Sequence, residues 1–179
     1  EINGVTDNPN IFVEDDLSIR TEIKELLEEI FSIVYVAVDG KDGLEKYLDF
    51  YKKNSVYFDL VLSDIQMPNM DGIELIKAIY KENSNQKVLV LSAHNESAYL
   101  MQLINLGIRQ FILKPLDYNN FLDVIFKINK DIYFEKNEEK ISALIKLSDT
   151  LILLNFSFCF VIPVFQFYRH NFFFISFIT

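Results

Sequence analysis

Short runs of consecutive apolar residues alternate along this chain with longer stretches in which apolar side chains recur every three or four positions. The first pattern reads as strands buried on both faces, the second as amphipathic helices. Residues 10–13, Asn-Ile-Phe-Val, form a short apolar run that stops at Glu14-Asp15-Asp16. Ile19, Ile23, Leu26, Leu27 and Ile30 then repeat at helical spacing with Arg, Glu and Lys between them, which predicts a helix over 17–31. Asp15 or Asp16 is the candidate N-cap of that helix. The β-branched and aromatic residues 33–38 predict a second strand, and 40–51 a polar-faced helix.

The third strand dominates the pattern. Phe58-Asp59-Leu60-Val61-Leu62-Ser63-Asp64 runs into the loop Ile65-Gln66-Met67-Pro68-Asn69-Met70 and then into Asp71-Gly72, where Asp71 with Glu74 resembles a capping box. Helix 72–81 puts Ile73, Ile76 and Ile79 on one face. Residues 88–91, Val-Leu-Val-Leu, make a fourth strand ending at Ser92-Ala93-His94. A helix over 98–106 stops at Gly107, and 110–113 form a fifth strand ending at Lys114-Pro115. Asp117 caps the last helix. Five strands alternating with five helices predict a doubly wound α/β domain with a parallel sheet, in which ligands gather at the carboxyl ends of the strands. Those ends carry Glu14, Asp15, Asp64, Ser92 and Lys114.

Composition narrows the function. The chain has 179 residues, a net charge of −9 and a sequence pI near 4.7, which argues against nucleic-acid binding by this segment. Cys159 is the single cysteine, so no internal disulfide is expected and a cytoplasmic setting fits. No signal peptide opens the chain, and with Glu rather than Met at residue 1 the natural start is expected upstream.

Three carboxylates packed together repel, so either a cation sits among them and keeps them ionised or their pKa values rise and they take up protons. Their all-oxygen character favours Mg²⁺, since Ca²⁺ requires a fuller oxygen cage. Lys114 offers a point charge for a phosphoryl oxygen and Ser92 a hydroxyl, which leaves a carboxylate to act as nucleophile.

Val13-Glu14-Asp15-Asp16, Asp64 with Met67-Pro68-Asn69-Met70-Asp71-Gly72, Leu91-Ser92-Ala93, and Phe111 through Lys114-Pro115 resemble the receiver domain of bacterial two-component response regulators, over roughly residues 10–129. The resemblance implies a flavodoxin-like sheet of order 2-1-3-4-5. It also implies that Asp64 accepts a phosphoryl group from a sensor histidine kinase or phosphotransfer protein, with no enzymatic activity beyond that self-catalysed transfer and autodephosphorylation. Glu14, Asp15, Asp64 and the Gln66 backbone carbonyl would hold Mg²⁺, while Ser92 and Lys114 would grip the phosphate. Ser92 and Phe111 would form the switch, and Gln66 and His94 would tune the lifetime of the phosphoryl group. The Lys114–Pro115 bond would be cis. The face of helix 4, strand 5 and helix 5, with Tyr99, Arg109 and Phe111, would carry the signal and support a homodimer. Pro9 and the polar Thr6-Asp7-Asn8 predict a first strand shorter than the family's usual one.

Two rivals are weaker. A phosphatase of the haloacid-dehalogenase type requires a second Asp two residues after the nucleophile, where Gln66 stands. A receiver-like module that binds without phosphorylation would have lost one of the site residues.

The expected organisation is a lead-in over 1–9, a receiver over 10–130, a linker helix over 131–149 and an apolar tail over 150–179. Ile141, Leu144 and Ile145 resume the stripe of the last helix, as a linker helix or a short coiled coil does. The tail holds nine of the 17 Phe residues, and no output domain is legible in it. It reads either as a truncated or frame-altered remnant of an output region, the favoured reading, or as a membrane anchor over 151–168 with Lys140 and Lys146 on the cytoplasmic side. The output is expected to be transcriptional; a single-domain phosphotransfer shuttle or a membrane-anchored receiver is the alternative.

Overall fold

The computed structural model describes residues 6–93 and 97–153. Five strands, β1 (Thr6–Val13), β2 (Phe31–Ala37), β3 (Leu60–Asp64), β4 (Lys87–Ala93) and β5 (Phe111–Lys114), alternate with five helices, α1 (Leu17–Glu28), α2 (Gly40–Asn54), α3 (Gly72–Glu82), α4 (Ser97–Asn105) and α5 (Tyr118–Leu153). All strand pairs are parallel and the order is β2-β1-β3-β4-β5, as the resemblance implied. The chain divides into two compact units, Glu1–Phe126 and Lys127–Thr179. In the second, α5 continues without a break to Leu153.

The central strand β3 is buried at all five positions, which is why its sequence is apolar on both sides of the pleat. Ile11, Val13, Val61, Val88 and Val90 pack in one cluster with Tyr47, Phe50, Leu75, Ile76 and Ile79 of α2 and α3. The alternate residues Phe12, Leu60, Leu62, Leu89 and Leu91 belong to the other face of the pleat and are also buried, as are Ile23, Leu27 and Phe121. The edge strands β2 and β5 mix exposed and buried positions.

Most boundaries lie within a few residues of the pattern; β1 does not. It starts at Thr6 rather than at residue 10, so residues 6–9 of the expected lead-in belong to the sheet. Pro9 is accommodated because the register with β2 shifts between Thr6 and Pro9, and the Pro9 carbonyl still accepts from the Asp59 amide at 2.8 Å. The register shift lets a polar, proline-containing segment pair where a regular ladder would have excluded it.

The helix starts are set by side chains. Asp16, not Asp15, caps α1, its carboxylate accepting from the Ser18 and Ile19 amides at 2.8 and 3.0 Å. Asp71 and Glu74 form the capping box of α3. Asp39 caps α2 through the Asp42 amide at 2.8 Å and also accepts from the Asn69 side chain at 2.6 Å. These bonds, the Asp42 amide first and Asn69 second, hold the Asp39 carboxyl below its ordinary pKa of 3.8. A carboxylate with a depressed folded-state pKa contributes stability that is present above 3.8 and is lost as pH falls through the lower folded value. Asp39→Ala should therefore cost about 1 kcal/mol at neutral pH. Urea unfolding midpoints of variant and wild type should converge as the pH is lowered through that range, and a difference independent of pH would exclude the charged cap.

Candidate functional site

Glu14 follows directly on the last residue of β1, and Val13 pairs with Ser63, so Glu14 stands beside Asp64 at the end of β3. Ala93 of β4 pairs with Lys114 of β5, completing the carboxyl edge of the sheet. Carboxylate oxygens of Glu14, Asp15 and Asp64 all lie within 4.8 Å of one another. The Lys114 ammonium spans two of them, at 2.8 Å from Glu14 Oε2 and 3.1 Å from Asp64 Oδ2. Glu14 is 1% exposed and Asp64 7%, whereas Asp15 faces solvent.

Burial decides the electrostatics. The Glu14 carboxyl is pushed above its ordinary range by desolvation first; the hydrogen bond from Lys114 pulls it down, and the Asp64 charge adds to the rise. For Lys114, burial acts downward, but the hydrogen bond to Glu14 and the charges of Asp64 and Glu14 outweigh it and raise the pKa. Among the described residues Lys114 thus bridges two of the three clustered carboxylates, and the remaining negative charge together with the oxygen-only donor set fits a small hard divalent cation.

The loops around the site are tied down through backbone groups. Gly72 N–H donates to the Ile65 carbonyl at 2.9 Å, which closes the β3–α3 loop over Asp64. The same loop is held against α2 by the Asn69–Asp39 bond and by Gly40 N–H donating to the Met70 carbonyl at 3.2 Å. Asn69 takes a left-handed φ of 64° to make that turn. The Lys114–Pro115 bond after β5 is cis.

Of the residues that the sequence singles out, Glu14, Asp15, Asp64 and Lys114 come together. Gln66 lies two residues past Asp64 with an exposed side chain. Ser92 is fully buried at the end of β4, in register with Leu113. Phe111 stands at the start of β5, in register with Val90, and is 41% exposed. His94 lies outside the described residues. One site residue escaped the sequence pattern, in which it passed for a polar spacer of α1. Arg20 Nη1 donates to the backbone carbonyls of Glu14 at 2.6 Å and Asp15 at 3.0 Å.

Among the described residues no helix is long and apolar enough to cross a membrane; residues 154–179, with the anchor and remnant readings of the tail, lie outside them.

Comparison with known proteins gives the same picture. The chain is 36% identical over 121 residues to the chemotaxis protein CheY of Treponema pallidum, covering 67% of this chain and 81% of that one. It is 30% identical to CheY of Thermotoga maritima, covering 67% of this chain and 96% of that one. Among solved structures it resembles the REC domain of AraT, a response regulator from Geobacillus stearothermophilus, with a TM-score of 0.64 at 26% identity, covering 73% of this chain and 99% of that one. The CheX–CheY–BeF3–Mg²⁺ complex from Borrelia burgdorferi contains a further relative, at a TM-score of 0.59 and 28% identity, covering 67% of this chain and 87% of that one. The family model of the response regulator receiver domain matches residues 11–126, the span that holds all five strands' carboxyl ends and the acidic cluster; the chain belongs to that family.

Proposed function

We propose that this chain is a phosphoacceptor: Asp64 takes a phosphoryl group from the phosphohistidine of a sensor kinase or phosphotransfer protein. The observation that carries the reading is the buried Asp64 carboxylate, held with Glu14 and Asp15 and bridged to Glu14 by Lys114. An Asp64 oxygen attacks phosphorus, the bond from phosphorus to the donor's imidazole nitrogen breaks, and the departing imidazole keeps the electron pair and takes up a proton. Glu14, Asp15, Asp64 and the Gln66 carbonyl would hold Mg²⁺, which when bound supplies neutralisation of phosphoryl-oxygen charge. Lys114, ionised because its neighbours raise its pKa, then exchanges part of its contact with Asp64 for a phosphoryl oxygen. Ser92 supplies a hydroxyl donor from the adjacent strand, and Gln66 and His94 act on the lifetime of the product. Acetyl phosphate with Mg²⁺ should add one phosphoryl group, mapped to the peptide containing Asp64; no uptake, or uptake elsewhere, would overturn the assignment. This transfer and autodephosphorylation, in which water takes the phosphoryl group from Asp64 as inorganic phosphate and frees the carboxylate, are the only chemistry proposed.

The output is read from a face of the same domain. Met101 and Ile104 of α4 and Phe111 and Leu113 of β5 are large apolar side chains left exposed, between 39% and 62%. Burial of Phe111 against Ser92 on phosphorylation would remodel this face for a partner or a second copy, whether the chain controls transcription or works as a shuttle. Sedimentation with beryllofluoride and Mg²⁺ should show a shift toward dimer that Phe111→Ala weakens. An unchanged monomer would restrict the face to other partners.

A further inference from the structure

Arg20 is six residues beyond Glu14, and its guanidinium turns back from the first turns of α1 over the β1–α1 loop. Nη1 donates to the Glu14 carbonyl at 2.6 Å and to the Asp15 carbonyl at 3.0 Å, so one cationic group grips the backbone of both residues whose carboxylates meet Asp64. The rest of the loop is already fixed. Glu14 N–H donates to the Ala37 carbonyl at 3.1 Å, and the Asp16 amide donates to Glu14 Oε1 at 3.4 Å. Asp16 in turn caps α1.

We propose that Arg20 is a positioning residue of the cation site, holding the Glu14 and Asp15 carbonyls so that their carboxylates stay converged on Asp64 before an ion binds. The inference rests on the reading of this cluster as a Mg²⁺ site. Three like charges within 4.8 Å of one another repel, and the cheapest relief is rotation of the Glu14–Asp15 peptide, which would swing Asp15 away. Charge-assisted hydrogen bonds to both carbonyls oppose that rotation. The guanidinium touches neither the ion nor the phosphoryl group; it acts through the loop.

Field and positioning predict opposite signs. As a nearby positive charge Arg20 disfavours a bound cation, so on Coulombic grounds alone its removal tightens Mg²⁺ binding. As a positioning residue its removal weakens binding. The test is calorimetric Mg²⁺ titration of the full chain, with thermal melting in EDTA alongside. Arg20→Met keeps the unbranched stem and loses every donor; its Mg²⁺ dissociation constant should rise about tenfold, the scale seen when groups that orient metal ligands are removed. Arg20→Gln, with a neutral amide on a shorter stem, should fall between. Unchanged or tighter Mg²⁺ binding in Arg20→Met overturns the proposal, as does a lower melting point in EDTA with an unchanged dissociation constant. If Arg20→Met does not fold, Arg20→Gln decides: the charge is lost and the donor sits nearer the helix, so weaker binding supports positioning and unchanged or tighter binding overturns it. A wild-type chain that fails to bind Mg²⁺ overturns the cation reading itself and this inference with it.

Discussion

Asp64→Asn should take up no phosphoryl group from acetyl phosphate under conditions in which the wild type is fully labelled. The substitution changes little but charge and nucleophilicity, because Asn has nearly the shape of Asp and the position is 7% exposed in a strand buried at every residue. A neutral amide oxygen does not attack phosphorus at a useful rate, so the loss is complete rather than graded. Folding is not the cause. Lys114 keeps Glu14 at 2.8 Å when its 3.1 Å contact with Asp64 is weakened, and the repulsion between Asp64 and Glu14 is relieved at the same time. The variant should therefore melt within a few degrees of the wild type. Intact-protein mass spectrometry reads the labelling and circular dichroism the melting. Wild-type stoichiometry in Asp64→Asn would place the nucleophile elsewhere, with the exposed Asp15 the next carboxylate in the cluster.

The sequence makes the site legible where chemistry is concentrated at strand ends. An apolar run that must be buried on both faces leaves little freedom in where it stops, so Asp64 after Leu60-Val61-Leu62, and Lys114 after Phe111-Ile112-Leu113, are placed by their own strands. Glu14 follows the same logic. What brings it beside Asp64 is the pairing of β1 with β3, and the strand order was legible only through resemblance to the receiver family. The start of β1 was misread because pattern reading treats Pro9 and Thr6-Asp7-Asn8 as breakers, whereas the register shift against β2 lets them pair. Arg20 and the Asn69–Asp39 bond were illegible for a different reason. Each joins a side chain to a group on another loop or to a backbone carbonyl, and no periodicity encodes a contact whose geometry depends on how two loops meet. Polar residues between apolar ones look alike in a pattern; the fold assigns one of them to solvent and another to the site.

Gly72→Ala should be the most damaging single-methyl change in the domain. A Cβ at residue 72 would stand 2.1 Å from the Asp64 carbonyl oxygen and 3.0 Å from Ile65 Cα, and both obstacles are backbone that a rotamer change cannot clear. Either the start of α3 moves away, breaking the 2.9 Å bond from Gly72 N–H to the Ile65 carbonyl and the capping box at Asp71, or the end of β3 moves. The expected cost is roughly 3 kcal/mol, at the upper end for overpacking because no side chain can yield. That corresponds to a fall in melting temperature on the order of 10 °C. The displacement falls on Asp64, the proposed nucleophile, so labelling by acetyl phosphate should also slow at temperatures where the variant remains folded. Gly107→Ala is the matched control. Gly107 has a φ of 84° and nothing within 4 Å of an added Cβ, so that change should cost only the left-handed strain of about 1 kcal/mol and leave labelling unaltered. Equal melting points for the two variants would show that the β3–α3 loop yields to the methyl group, and that close backbone contact at Gly72 does not hold Asp64 in place.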